Sequence, residues 1–198
     1  MRTFVAIAHT APTEPGFSLD DLAGGAGRLD VICRYITAAF LLSHGIREEV
    51  TMWVVIQDDI TIELRGDELR HLNPDERSTG ALLRRALETA ADRAVSHRPV
   101  ESTPGIFVRR QGIERTLATV VKDRPLVHLD EAGEALTVDT IPDRPVFVLS
   151  DHQDLSDEEV ALIESFNARR HSLGPRAIHG NHAIAVAHNL CDRTGWDL

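Results

Sequence analysis

Lysine is almost missing from this chain: of 21 basic residues only Lys122 is a lysine, and the rest are arginines. Cysteine is nearly as scarce. Cys33 and Cys191 stand alone among 198 residues, which excludes a disulfide framework and reads as two free, partly buried thiols in a reducing compartment. Aromatic residues make up 5% of the chain against 42% hydrophobic residues. The core is therefore built of Val, Ile, Leu and Ala, which suits an α/β fold better than a β-sandwich. No apolar run approaches the roughly 20 residues a membrane span needs, and no signal peptide opens the chain. One soluble, cytoplasmic domain over 1–198 is expected, with order lacking only in the last few residues.

The acids outnumber the bases 31 to 21, for a net charge of −10, which on its face argues against a nucleic-acid partner. Those acids are spread over the whole length instead of forming a tail. Dispersed carboxylates with almost no lysine resemble the proteins of salt-loving archaea, and in that case the charge reports habitat more than partner. The plainer alternative is an acidic soluble enzyme.

Short β-branched and apolar runs over Thr3 to His9, Val50 to Gln57 and Ile60 to Leu64 predict strands, the last two as a hairpin or neighbours. From Leu29 the apolar residues Ile32, Cys33, Ile36, Ala39 and Phe40 recur three and four apart, predicting a helix that Gly45 ends. A second helix is expected from Ala81 to about His97. Alternation follows: strand Gly105 to Arg109, helix Ile113 to Val121, strands Leu126 to Leu129 and Val146 to Leu149, a helix from Ser156 and another from about Asn181. Ser156 and Glu159 stand at capping-box spacing, and Gly174-Pro175 is the expected end of that helix. The pattern predicts a mostly parallel sheet covered on both faces.

In such sheets ligands sit beyond the carboxyl ends of the strands, which singles out the loops after Leu129, after Leu149 and over Ser172 to Ile178. The third holds Gly and Pro between apolar residues. It can offer backbone groups to a planar ligand, or it can be a plain connection with an apolar plug. His171, His179, His182 and His188 crowd the same region, yet their spacing fits no zinc motif. Gly24, Gly25 and Gly27 precede the first helix but lack the Lys-Ser/Thr of a phosphate loop. Asp30 and Arg34, four apart, are either a surface ion pair or a carboxylate and cation of an active site.

Several strings recur in order along nearly the whole chain: Gly27-Arg28-Leu29-Asp30-Val31-Ile32-Cys33-Arg34, Pro74-Asp75-Glu76-Arg77, Ser102-Thr103-Pro104-Gly105-Ile106, Ser150-Asp151-His152, Ser172-Leu173-Gly174-Pro175 and Asn181-His182-Ala183. Together they resemble the TrmY family, the archaeal tRNA pseudouridine-54 N1-methyltransferases. The resemblance implies a SPOUT fold whose C-terminal region, about 125–198, is tied in a trefoil knot, a topology no periodicity argument proposes. It also implies a homodimer, S-adenosyl-L-methionine as methyl donor and tRNA as substrate. Ile184, Val186, Ala187 and Leu190 of the last helix are the expected dimer surface.

Carried over position by position, the resemblance places the cofactor at Leu129, Ser150, Leu173, Gly174, Pro175, Arg176, Ala177, Ile178 and Ala183. Family members carry Gly where this chain has Ser150, and Cys where it has Ala183. Pseudouridine leaves N1 as a free N–H, so its methylation needs a proton acceptor and a cation for the charge spreading onto the neighbouring carbonyl. Asp30 takes the first role and Arg28 or Arg109 the second; for each arginine, phosphate binding or a structural ion pair stands equally open. Methylation of small-subunit rRNA and a non-catalytic RNA-binding protein on the same fold are the alternatives.

Overall fold

The structure, a computed structural model, describes residues 1–92 and 95–194. In chain order the elements are β1 (Arg2–Ala8), α1 (Leu29–Phe40), β2 (Leu41–Leu42), β3 (Gly45–Ile46), β4 (Val50–Ile56), β5 (Ile60–Arg65), α2 (Glu76–Asp92), β6 (Val100–Thr103), β7 (Ile106–Arg110), α3 (Ile113–Val120), β8 (Leu126–Ala135), β9 (Val146–Ser150), α4 (Asp157–Ser165), β10 (Arg169–Ser172) and α5 (Gly180–Arg193). Eight strands form one sheet in the order β10-β8-β9-β1-β4-β5-β7-β6. The five from β10 to β4 run parallel and the remaining three pair antiparallel. The expected class, an α/β fold with a mostly parallel sheet between helices, is what the chain adopts.

Alternation along the strands sends side chains to two cores. Phe4, Ala6 and Ala8 of β1 meet Ile32, Ile36 and Phe40 of α1, Leu83 and Leu87 of α2, and Ile184 and Ala187 of α5. Val5 and Ile7, on the other face, meet Leu117 of α3 and Ile163 of α4. β1 lies at the centre because both faces of it are apolar, with all seven residues buried.

Four expectations are corrected. Gly45 does not end α1; the helix stops at Phe40, and Leu41 turns extended into the β2–β3 hairpin, where Gly45 pairs with Leu42. α2 starts five residues before Ala81, and Val95 to His97 lie outside it. The intervening 93–94 and the last residues, 195–198, where order was expected to fail, lie outside the described residues. α4 keeps its capping box, with Glu159 N–H donating to Ser156 Oγ at 3.2 Å and Ser156 N–H to Glu159 Oε2 at 2.8 Å, but it ends at Ser165, not Gly174. Asn167 turns left-handed at φ 58° and the chain enters β10, an edge strand with no apolar period to announce it. The loop over 173–179 therefore joins a strand to a helix.

The base of α5 is tied to the start of the chain. Arg2 Nη1 donates to His188 Nδ1 at 3.1 Å, His188 Nε2 donates to Ala39 O at 3.0 Å, and Asp192 pairs with Arg2 and Arg47 at 2.7 Å each. Burial, helped by the charges of Arg47 and Arg2, pushes the His188 imidazole down to about 3.

Candidate active site

The parallel strands end on one side of the molecule, and their order reverses between β1 and β9, since the chain leaves β1 toward β4 and returns to β9 on the other flank. Ligand crevices of α/β sheets open at such a reversal. His9 leaves β1 there and Asp151 leaves β9. The Asp151 carboxylate accepts from His9 N–H, His9 Nδ1 and Gln153 N–H, each at 2.9 Å. His9 Nε2 lies 3.1 Å from Glu159 of α4. An imidazole facing carboxylates on both nitrogens must carry both protons. Burial pulls the His9 pKa down, but the hydrogen bonds to Asp151 and Glu159 outweigh it and the net shift is upward. This staple of β1, the β9 loop and α4 was missed in the sequence, because Glu159 already had an explanation as a cap and His9 as a strand end.

Beside it, β8 makes the first wall of a cleft. Its register against β10 jumps from Arg170 opposite His128 to His171 opposite Glu134, so the intervening 129–133 bulge out of the ladder. The cleft is lined by Leu129, Asp130 and Glu131 from that bulge, by His171, Leu173, Gly174, Arg176, Ala177 and Ile178, and by Ala183 of α5. Seven of the nine residues named for the cofactor meet here. Pro175 belongs to the same loop and is exposed. Ser150 lines an adjoining cavity of about 230 Å³ that shares Leu129, Asp130 and Glu131. Its hydroxyl, the group a glycine lacks, donates back to Gln153 O within its own loop.

A second pocket of about 310 Å³ meets the first at Ile178 and is lined by Arg28, Val31, Arg34, Tyr35, Asp151, His152, His179, Gly180 and Asn181. Its α1 wall is fixed by two glycines. Gly27, at φ 53°, lies so close to Thr10 that a Cβ would stand 1.8 Å from the Thr10 carbonyl oxygen, and Arg28 follows it into the left-handed region at φ 61°. At Gly180 a Cβ would fall 2.1 Å from the Tyr35 hydroxyl, which donates to Ser150 O at 2.9 Å and so joins α1 to the β9 loop.

Asp30 is buried and held by two guanidiniums. Arg28 Nε and Nη2 donate to its two oxygens at 3.0 and 3.2 Å, and Arg34 Nη2 at 2.7 Å. Burial pushes its carboxyl up, but the hydrogen bonds from Arg28 and Arg34 prevail and hold it below the usual carboxylate range. That arrangement makes Asp30 a poor proton acceptor and a good anchor for Arg28.

Arg109 is not brought to this site. Ile106 and Val108 of β7 face α2, so alternation points Arg109 to the opposite face, where it pairs with Glu63 and covers the Trp53 ring at 4.4 Å. Of its two open readings, a structural ion pair is the one the structure contains. Cys33 is buried with its thiol pushed up to about 12 by burial, so it is no nucleophile. Among the described residues no three His, Cys, Asp or Glu side chains are grouped to hold a metal ion.

A family model described as "Putative SAM-dependent RNA methyltransferase" matches residues 1–196. A protein of Haloarcula marismortui named tRNA (pseudouridine(54)-N(1))-methyltransferase is 52% identical, over 100% of this chain and 99% of its own length. One of Haloferax volcanii bearing that name is 50% identical over 99% and 98%, and one of Thermococcus kodakarensis is 40% identical over 97% and 99%. Among solved structures, Archaeoglobus fulgidus Nep1 bound to S-adenosylhomocysteine superposes with a TM-score of 0.67 at 11% identity, over 98% of both chains, and so shares the fold.

Proposed function

Because the chain belongs to the family of S-adenosylmethionine-dependent RNA methyltransferases, we propose that it methylates N1 of pseudouridine 54 in the TΨC arm of tRNA, in the cytoplasm and as a homodimer. The observation that carries this reading is the junction at Ile178 of a cleft suited to the cofactor with a pocket that presents arginines. Leu129, Leu173, Ile178 and Ala183 give the first cleft apolar walls, and Ile178 is 44% exposed, an uncovered apolar side chain at its mouth. Asp130 and Glu131 add carboxylates for hydroxyl and cationic groups. The lining thus matches the chemistry of S-adenosylmethionine, which supplies an electrophilic methyl group when bound, while the cleft itself, about 70 Å³, has to widen to admit it.

In the second pocket Arg28 keeps Nη1 without a hydrogen-bond partner among the described residues, since Nε and Nη2 serve Asp30. A guanidinium fixed in this way can stabilise the negative charge that spreads onto a pyrimidine carbonyl as N1 loses its proton. Asp30 acts by holding Arg28 and Arg34 in place. Arg28, Arg34 and Arg176 offer guanidinium donors to an RNA phosphate or base, beside the carboxylates Asp130, Glu131 and Asp151 of the same two pockets.

The knot stays part of the proposal on the strength of the resemblance; α4 and α5 cover opposite faces of the sheet, and the chain passes between them by way of the edge strand β10 and the 173–179 loop. Ile184 and Ala187, expected at the dimer surface, are instead fully buried against the chain's own core. The dimer reading now rests on the resemblance and on the exposed Leu42 and Ile178. Sedimentation in high salt tests it, a monomer at micromolar concentration being the adverse result. For the activity, the test is mass spectrometry of nucleosides after incubating the protein and S-adenosylmethionine with two tRNA transcripts, one carrying pseudouridine at position 54 and one uridine. N1-methylpseudouridine in the first and no methylation of the second is expected. Methylation of the uridine transcript removes the N1 reading.

A further inference from the structure

Methylation at N1 needs a base, and Asp30, with both oxygens held by guanidiniums, is a poor one. Each other titratable group around the 310 Å³ pocket can be followed to its partners. The Asp151 side chain is 2% exposed and its oxygens are taken by His9 and Gln153. Glu159, behind it, is shared between His9 and the Ser156 N–H. The Tyr35 hydroxyl, pushed up to about 12 by burial, donates to Ser150 O. Arg28 and Arg34 are cations. His179, at the exposed rim, has no carboxylate within ion-pair distance among the described residues, its ring lying edge-on to His182 at 5.9 Å.

His152 differs from all of these. Its Nδ1 lies 3.5 Å from Asp151 Oδ2, its side chain is 26% exposed, and its Nε2 has no hydrogen-bond partner among the described residues. A carboxylate behind Nδ1 favours the tautomer with the proton on that nitrogen, which leaves the Nε2 lone pair free. Asp151 itself is immobilised by three hydrogen bonds, so the histidine is backed by a fixed charge. Resting on the function proposed above, the geometry points to His152 as the general base of methyl transfer, with Asp151 and the His9–Glu159 staple as its positioning residues.

The step balances without a further reactant. The N1–H bond of pseudouridine breaks and its proton passes to His152 Nε2. The N1–carbon bond forms as the methyl's bond to sulfur breaks, with that electron pair staying on sulfur. The imidazolium, partly open to solvent, then returns the proton to water.

Single-turnover methylation of the pseudouridine transcript tests this with wild type, His152→Gln, His152→Gly and His179→Gln, with RNA and cofactor affinity measured alongside. His152→Gln is expected to lose roughly 10²–10⁴-fold in rate with both affinities retained. His152→Gly is expected to regain rate with added imidazole, which a merely structural role would not allow. A His152→Gln rate equal to wild type, the loss falling on His179→Gln instead, or a slow His152→Gly that imidazole leaves unchanged each overturns the assignment. A wild type that leaves the pseudouridine transcript unmethylated overturns the underlying function instead, so the two failures are distinct.

Discussion

Among the groups through which acid should loosen this protein, His188 is the one with the largest downward shift. Its imidazole is 3% exposed, accepts from Arg2 and donates to Ala39 O, and it is pushed down to about 3, whereas an unfolded histidine titrates near ~6.5. A folded-state pKa below the unfolded one means that the unfolded chain takes up the proton first. The stabilisation is therefore fully present above about pH 6.5 and is lost as the pH falls from there toward 3. Each unit removes about 1.4 kcal/mol, so a drop to about pH 5 costs roughly 2 kcal/mol, a sizeable part of the ~5–15 kcal/mol of a whole domain. Glutamine at this position can keep both hydrogen bonds and cannot titrate. Urea unfolding of wild type and His188→Gln at constant salt, from neutral pH to about pH 5, should show the stability difference shift by that amount in favour of the variant. His9, Asp30 and Asp192 titrate alike in both proteins and cancel in the difference. Curves that stay parallel would refute the neutral, buried His188.

His9 carries the opposite sign: its raised pKa gives stabilisation that is full below about pH 6.5 and lost as the pH rises through the raised value. NMR titration of its ring should show a pKa above 6.5, and a value at or below that contradicts the two-carboxylate staple. Asp30→Asn should cost on the order of 1 kcal/mol, screened because Arg28 and Arg34 are 42% and 38% exposed. It should slow methyl transfer by loosening Arg28 while leaving the shape of the pH–rate profile unchanged; a lost acid limb restores Asp30 as the base. At Gly174 a Cβ meets no protein atom within 4 Å, but the backbone φ of 158° is one that a β-branched side chain rarely adopts, so Gly174→Val should reshape the loop and lose S-adenosylhomocysteine binding by calorimetry. Unchanged affinity takes the loop out of the cofactor cleft.

Regular elements were legible where burial imposes a period. β1, β4, β5, α3 and the start of α4 match their sequence patterns to within a residue or two. β10 was not legible, because Arg169-Arg170-His171-Ser172 is a polar edge strand held by backbone pairing to β8, which leaves no apolar alternation to read. Seven of the nine residues that the resemblance named for the cofactor line one cleft, and they come from the β8 bulge, the 173–179 loop and the start of α5. Arg109 was misplaced for a simple reason: the motif Val108-Arg109-Arg110 does not say which face of β7 an arginine takes, and that is decided by Ile106 and Val108 filling the opposite core. The His9–Asp151–Glu159 staple joins residues up to 150 positions apart, and no local spacing could have revealed it.

β1 is made before the strands that flank it, yet it sits in the middle of the sheet with a neighbour on each side. Its pairing with β4 becomes available once Val50–Ile56 has been made, but its other flank waits for Val146–Ser150. Through most of synthesis the nascent chain therefore carries an open strand edge, the kind of surface that recruits other chains. The cleft is finished later still, because Ala183 arrives with the last helix. A chain stalled before Val146 thus exposes a sticky edge and lacks the wall that Leu173, Ile178 and Ala183 give the cleft.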